Sequence, residues 1–507
     1  MSLSPRRGIV SQASMIVGGQ IISGLVAFVT TPVIALGLGA EQFGLYALLF
    51  LFLGYGATLD FGLTFSLVKH IAEHDREHER HEIDALVNNA AAAYAVMAIA
   101  FTLVLVVGRR WIVATLLRVP GHLLPVAEDA MLLLGCSVPF GTAMTISNAV
   151  FSGLLRFDYV AFFYVVSASV FAVGAAILVR FGATLTGVMA FYLGVAATAA
   201  VVQWVVLLRV LPGFRLVPRA RQRKLQLLFG FGGFMFFNQL GRIALLQLDR
   251  PLIARLLSVS MAAYYAVPFQ ISQRLTMLGG AVSTVAFPVS SASLTRGELQ
   301  AFRHEYLQSA RVLAWLTLAP TVVIIVMADK ILSYWMSPEF ATFGSLPLRL
   351  LAFGTWWFSV SSLDAVSIQG SGRPWVTTSF VLIIGALNVV GLVVATPALG
   401  LAGAALSLTV SLIVVALLQV WYCSRNVVHW SFGVWGRAIG LPALATALPA
   451  VPVILLLRET VSGLSSLILV CVAALAVGYV AGWRVFLLPE ERKWVIGRAS
   501  RLLHGCA

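Results

Sequence analysis

The chain is a near-continuous series of apolar runs, each about as long as a bilayer is thick. A helix rises about 1.5 Å per residue and the hydrocarbon core is about 30 Å deep, so roughly 20 apolar residues span it. Fourteen runs follow one another, near 12–37, 43–66, 84–107, 129–153, 158–179, 183–208, 227–254, 262–290, 309–328, 346–370, 375–397, 401–423, 434–457 and 462–485. In lipid every backbone polar group needs an internal partner, which a helix provides. The expected fold class is therefore all-α, a polytopic membrane protein of about 14 transmembrane helices. Pro32, Pro139, Pro251, Pro268 and Pro288 fall inside the runs, and membrane helices tolerate proline. The first run follows Arg6 and Arg7 and reaches Leu38 with no Ala-x-Ala site behind it. It is too long for a signal peptide and reads as a retained helix.

Charge then sets the orientation. The net charge is +14, yet only 11% of residues are charged and 60% are hydrophobic. A soluble domain carries about 25% charged residues. The basic excess is thus a loop bias of a membrane protein, and no nucleic-acid partner is expected. With the N-terminus inside, 23 of the 34 Lys and Arg fall on the cytoplasmic side, 9 fall outside, and Arg242 and Arg274 remain within spans. Both termini are expected in the cytoplasm of a bacterial inner-membrane protein. Gly108-Arg109-Arg110 is the one contrary cluster. Connections are short, and the longest polar stretches are 68–83, 211–225, 291–308 and a tail after 485 that reads as a basic surface helix.

Chemistry-bearing motifs are scarce. The chain has no Gly-x-x-x-x-Gly-Lys-Ser/Thr loop and no Asp-x-Asp, so neither direct ATP drive nor glycosyl transfer is expected. Cys136, Cys423, Cys471 and Cys506 form no CxxC, which implies neither a disulfide framework nor a zinc site. His70, His74, His78 and His81 stand with Glu73, Asp75 and Glu77. A solvated interfacial helix is favoured there over metal binding or pH sensing. No enzyme activity, cofactor or metal is expected.

The two halves resemble each other at an offset of about 218 residues. Thr31-Pro32-Val33-Ile34-Ala35 parallels Arg250-Pro251-Leu252-Ile253-Ala254, and Tyr46-Ala47 with Phe50 parallels Tyr265-Ala266 with Phe269. Gly153-Leu154-Leu155-Arg156 parallels Gly370-Ser371-Gly372-Arg373, and Leu185-Thr186-Gly187 parallels Leu401-Ala402-Gly403. Six spans per repeat preserve orientation, so the repeats are parallel, an arrangement in which transporters hold substrate between two halves. The expected layout is an N-lobe over 1–210, a basic linker over 211–225, a C-lobe over 226–425, two further helices over 426–486 and a basic tail over 487–507.

Arg242 and Arg274 are the most informative residues. A charge at the bilayer centre costs about 2.5–3.5 kcal/mol on insertion scales, so it faces a cavity or a partner. The repeat equivalents, Ser23 and Tyr55, are uncharged. Asp249 follows Arg242 by seven residues, two helical turns, and is expected on the same face beside Arg250. Asp60 and Asp364 sit nearer the cytoplasmic ends of their spans. Two readings stay open and can coexist. The charges pair across helices, for example Arg274 with Asp249, or the guanidinium groups line a wet cavity that holds an anionic head group. Gln20, Gln239 and Gln270 add polar lining to the first two-helix unit of each repeat.

Leu38-Gly39-Ala40-Glu41-Gln42-Phe43-Gly44-Leu45-Tyr46 and Leu59-Asp60-Phe61-Gly62-Leu63 resemble the opening of the polysaccharide-transport flippases. Gln247-Leu248-Asp249-Arg250-Pro251-Leu252-Ile253-Ala254 with Tyr264-Tyr265 is similar to that family's seventh and eighth spans, and Leu401-Ala402-Gly403-Ala404-Ala405 to the start of its twelfth. The resemblance places the chain in the multidrug, oligosaccharidyl-lipid and polysaccharide exporter superfamily. It implies a flippase for undecaprenyl-pyrophosphate-linked oligosaccharide, working by alternating access for O-antigen, exopolysaccharide or capsule. By the same resemblance, Arg242 and Arg274 meet the pyrophosphate and the last two spans form a groove for the polyprenyl tail. A polysaccharide polymerase and glycosyltransferases are the implied partners. Drug-exporting members often use an acid in span 1, where this chain has none before Glu41. An ion-coupled multidrug or metabolite exporter is the alternative, and a membrane scaffold for glycan synthesis a third reading.

Overall fold

The structure, a computed structural model, describes residues 9–58, 62–73, 80–212, 214, 232–295, 299–487, 489 and 492. Those residues form helices and no strand. In chain order the longer helices are α1 (Ile9–Thr58), α2 (Leu63–Glu73), α3 (Arg80–Val107), α4 (Leu124–Gly153), α5 (Phe157–Arg180) and α6 (Leu185–Val210). They continue as α7 (Gly232–Leu246), α8 (Asp249–Leu256), α9 (Val259–Thr295), α10 (Leu299–Trp335), α11 (Pro338–Val360), α12 (Ser362–Gly370), α13 (Pro374–Cys423), α14 (Leu441–Arg458) and α15 (Leu464–Val485).

Nine helical stretches among the described residues are long and apolar enough to cross a membrane. Two of them, Gly18–Gly56 and Pro374–Val428, are far longer than one crossing. Each contains a sharp break, at Gly39 with φ 74° and at Gly400 with φ 60°. Glycine enters that left-handed region without the Cβ clash other residues meet. The expected spans 227–254, 262–290 and 346–370 are helical but are not among the nine. The first of these breaks between α7 and α8, and the last between α11 and α12 at Ser361.

The chain divides into two compact units, residues 1–240 with 258–263, and residues 241–257 with 264–507. In the first, α1 packs on α5, α4 on α6, and α3 on α4. Its core gathers Leu63, Leu67, Leu86, Val87, Val150 and Phe151, each at most 1% exposed. In the second, α10 packs on α11 and α15, and α11 on α13. Leu313, Ala314, Met327, Val420, Ile439 and Ala474 are fully buried in its core.

The two units repeat one backbone device at the offset seen in the sequence. Leu154, Leu155 and Arg156 donate their N–H groups to Val150, Ser152 and Phe151. Ser371, Gly372 and Arg373 donate theirs to Ser367, Gln369 and Ile368, 217 residues further on. Leu155 and Gly372 both hold positive φ, at 56° and 80°. This is a helix C-cap with a left-handed residue and a bond back over five positions.

Candidate functional site

Five of the candidate residues lie in the second unit: Arg242, Asp249, Arg250, Gln270 and Arg274. Gln20, Asp60 and Gln239 fall in the first. Asp60 lies outside the described residues, as do His74 and His78 of the histidine-rich stretch. No cluster able to hold a metal ion occurs among the described residues.

The path from α7 into α8 decides where the charges point. Leu248 N–H bonds to Ile243 O, five residues back, while Gln247 N–H also reaches Ile243 O. One residue is thereby added to the turn, and each added residue rotates the following side chains by about 100°. The consequence corrects the expected shared face. Arg242 is exposed while Asp249 is 1% exposed. Gly241, next to Arg242, is pressed against the other helix: a Cβ there would stand 3.0 Å from Leu382 N, and one on Gly385 would stand 2.8 Å from Gly241 O. Only glycine permits this approach, and it fixes the roll of α7 that leaves Arg242 on the open side.

Asp249 is matched locally. Its Oδ1 accepts the Arg250 backbone N–H at 2.8 Å and lies 3.5 Å from Arg250 Nε. The Arg250 guanidinium sits over the Phe269 ring, 4.6 Å from its centroid, a cation–π contact in a buried setting. The expected pairing of Arg274 with Asp249 is therefore not formed, because Arg250 already holds that carboxylate.

Arg274 lies on α9 one turn beyond Gln270, and both are exposed. Its Nη1 contacts Met277 Sδ at 3.7 Å. Gln270, Arg274 and Met277 recur at helical spacing and form one open face of α9, whereas Tyr265, Phe269, Ser272 and Leu275 on the other face are buried. Among the described residues neither Arg242 nor Arg274 forms an ion pair. The two readings of the sequence thus separate: the charges that pair are Asp249 and Arg250, and the cations left to attract an anion are Arg242 and Arg274. Gln239 is half-buried on α7, three residues before Arg242, and Gln20 is exposed on α1.

Three features carry no signal along the sequence. Asp364, 1% exposed, accepts a 2.6 Å hydrogen bond from Tyr306. Asp329 is held by Arg349 at 3.2 Å and Arg458 at 2.8 Å, joining the ends of α10, α11 and α14. In the first unit a cavity of about 590 Å³ opens among α1, α3, α4 and α6. Each is assembled from residues distant in the chain, so no local pattern could announce it.

The family profile described as polysaccharide biosynthesis protein matches residues 9–294, more than half of the chain. The chain belongs to the polysaccharide biosynthesis protein family. Members similar to it include a Shigella flexneri protein named as an O-antigen transporter, 22% identical over 80% of this chain and 96% of the relative. Bacillus subtilis EpsK, described as a membrane protein, is 25% identical over 78% of this chain and 79% of its own. Among solved structures, the lipid II flippase MurJ in an inward-closed conformation superposes with a TM-score of 0.75 at 13% identity, covering 93% of this chain and 98% of that one. An inward-facing multidrug transporter of the MOP superfamily gives 0.63 at 16% identity, covering 80% and 94%. At such identities the likeness is one of fold. This family member is a multi-pass membrane protein with the fold of that superfamily's transporters.

Proposed function

We propose that this chain is a flippase that moves an undecaprenyl-pyrophosphate-linked oligosaccharide from the inner to the outer leaflet for O-antigen, exopolysaccharide or capsule synthesis. On this reading it crosses the inner membrane about 14 times, with both termini in the cytoplasm and parallel lobes over 1–210 and 226–425. The last two crossings lie within 426–486 and the basic tail covers 487–507. The observation that carries the reading is the division of charge on α7 to α9. Arg250 is taken up by Asp249, while Arg242 and Arg274 stand open without a carboxylate. A guanidinium in an apolar span without a partner needs water or an anion, and its planar fork suits a pyrophosphate. The head group would engage both arginines from the cytoplasmic side, with Gln239 and Gln270 as neutral donors to the sugar. Alternating access would then expose it outward. A polysaccharide polymerase and glycosyltransferases would act before and after this step. An ion-coupled exporter of cationic drugs would need acids where this chain presents arginines.

The test is restoration of surface glycan in a strain lacking its own O-antigen or exopolysaccharide flippase. The wild-type chain restores it. Charge-assisted hydrogen bonds contribute about 1.5–3 kcal/mol each, so Arg242→Ala with Arg274→Ala lowers export by about 100-fold or more. The double Lys variant recovers part, since lysine supplies charge without the fork. Wild-type export by the double Ala variant would end this reading.

A further inference from the structure

The cavity of the first unit is a site of a different chemistry from the arginine face. Its walls come from α1, α3, α4 and α6 and include Phe50, Tyr94, Met97, Phe101, Gly141 and Tyr192. No charged side chain lines it. Its hydroxyls are turned to the protein: Tyr94 Oη lies 2.7 Å from Thr64 Oγ1, Thr142 donates to Val138 O at 2.8 Å, and Thr145 to Gly141 O at 3.1 Å. What faces the space is ring, methyl and methylene. A sugar placed there would leave hydroxyls unpaired, at about 1–3 kcal/mol each. Apolar cavities of this kind stay dry and take apolar guests, and about 590 Å³ lies within the roughly 300–1,000 Å³ of small-molecule sites.

Gly141 adds an independent sign. It is exposed in the interior of α4, where glycine costs about 0.5–1 kcal/mol relative to alanine. A Cβ built on it meets nothing within 4 Å, so no neighbouring helix requires the glycine. It widens the cavity instead.

We propose that this cavity holds a stretch of the polyprenyl chain of the lipid-linked substrate, an inference that rests on the flippase reading above. The helices lining it belong to four membrane-crossing stretches, Gly18–Gly56, Ile83–Val107, Gly121–Gly153 and Leu185–Val210, so the guest comes from the bilayer. A phospholipid acyl chain gains no hydrophobic free energy on leaving lipid for an apolar cavity, because lipid is already as apolar. A prenyl chain tethered to a bound head group arrives at high effective concentration. It also brings a double bond and a methyl branch in every unit to the rings of Phe50, Tyr94, Phe101 and Tyr192. A branched chain fills a wide chamber better than a straight one does.

The test uses the full chain in nanodiscs of phosphatidylethanolamine and phosphatidylglycerol, with a polyprenyl phosphate carrying a diazirine in its chain. A phosphatidylglycerol carrying the same group in an acyl chain serves as the second arm. The prenyl probe labels the segments around Met97–Phe101 and Gly141–Thr145, and excess unlabelled polyprenyl phosphate competes it away. Gly141→Phe, whose ring projects into the open space, lowers labelling about tenfold, whereas Gly141→Ala leaves it unchanged. Unchanged elution and thermal unfolding of Gly141→Phe show that the variant folds. Equal labelling of the same segments by the phospholipid probe, or prenyl labelling indifferent to Gly141→Phe, overturns the proposal. Labelling needs no transport, so the two readings fail separately. Glycan export without cavity labelling removes only the tail site, and labelling in a protein that restores no glycan in any flippase-deficient strain removes the flippase reading.

Discussion

Asp249 and Arg250 are adjacent in sequence and face each other in a setting almost closed to solvent, with side chains 0% and 12% exposed. The pair neutralises itself, and its energetics lie in what breaking it would leave behind. Removing one partner of a buried pair costs about 3–5 kcal/mol, because the other charge stays desolvated. Asp249→Ala should therefore lower the unfolding temperature of the purified protein strongly, and Asp249→Leu with Arg250→Leu should recover much of the loss. A single variant that melts like the wild type would show the pair to be dispensable. The left-handed caps make a second residue-scale comparison. Gly372→Leu forces a side chain into φ 80° and should cost about 1–2 kcal/mol. The reverse change at the matching place, Leu155→Gly, should gain little: relief at φ 56° is offset by the flexibility glycine adds to the unfolded chain, about 0.5–1 kcal/mol. Thermal unfolding of both variants reads the asymmetry. Of the candidate site, the sequence made Arg242 and Arg274 visible because a charge in an apolar run is conspicuous. Their separation from Asp249 was not visible, since a seven-residue spacing marks one face only while the helix keeps its register, and the five-residue bond at Leu248 loses it.

At the scale of elements, length and apolarity were legible and helix continuity was not. Hydropathy treats 227–254 as one run, yet α7 and α8 meet at a kink, and the same holds for α11 and α12. Conversely, the breaks at Gly39 and Gly400 sit inside single helical tracts, and only the left-handed glycine separates two crossings. The final hairpin shows how elements are locked once formed. On α15, Gly478 and Gly482 face α10: a Cβ on the first would lie 3.0 Å from Ala319 Cβ, and on the second 2.6 Å from Trp315 Cδ1. Small residues one turn apart let membrane helices approach, where packing rather than water drives association. Trp315 Nε1 donates to Tyr479 O, and Tyr479 Oη donates to Leu316 O, each at 3.1 Å. Gly482→Leu should overpack this contact and destabilise the protein by about 1–3 kcal/mol. Gly463→Ala, where a Cβ meets open space, should be neutral. Equal melting temperatures for the two would mean that α15 is held by something other than this face.

For the whole molecule the deciding quantity is the placement of charge relative to the membrane. The net +14 carries orientation because lysine and arginine in short loops resist translocation, while acidic residues contribute little. The contrary Arg109-Arg110 cluster follows α3, and Arg110 Nε stands 4.0 Å from Glu128 Oε1. That proximity eases solvation of the cluster but does not cancel its topological vote, so the cluster must be outweighed by the 23-to-9 majority. The argument makes a prediction in which parity and direction are tested together. In a background lacking the four native cysteines, single cysteines replace Gly121, Ser431 and Ser462, which are all exposed. Ser431 and Ser462 flank α14 and must lie on opposite sides if that helix crosses. Gly121 and Ser462 must share a side if an even number of crossings separates them. A membrane-impermeant maleimide applied to spheroplasts should label Gly121→Cys and Ser462→Cys at once, and Ser431→Cys only after permeabilisation. Inversion of all three would reverse the orientation and put the basic tail outside. Gly121→Cys and Ser462→Cys on different sides would mean an odd number of crossings between them, and the parallel relation of the two repeats would fail with it.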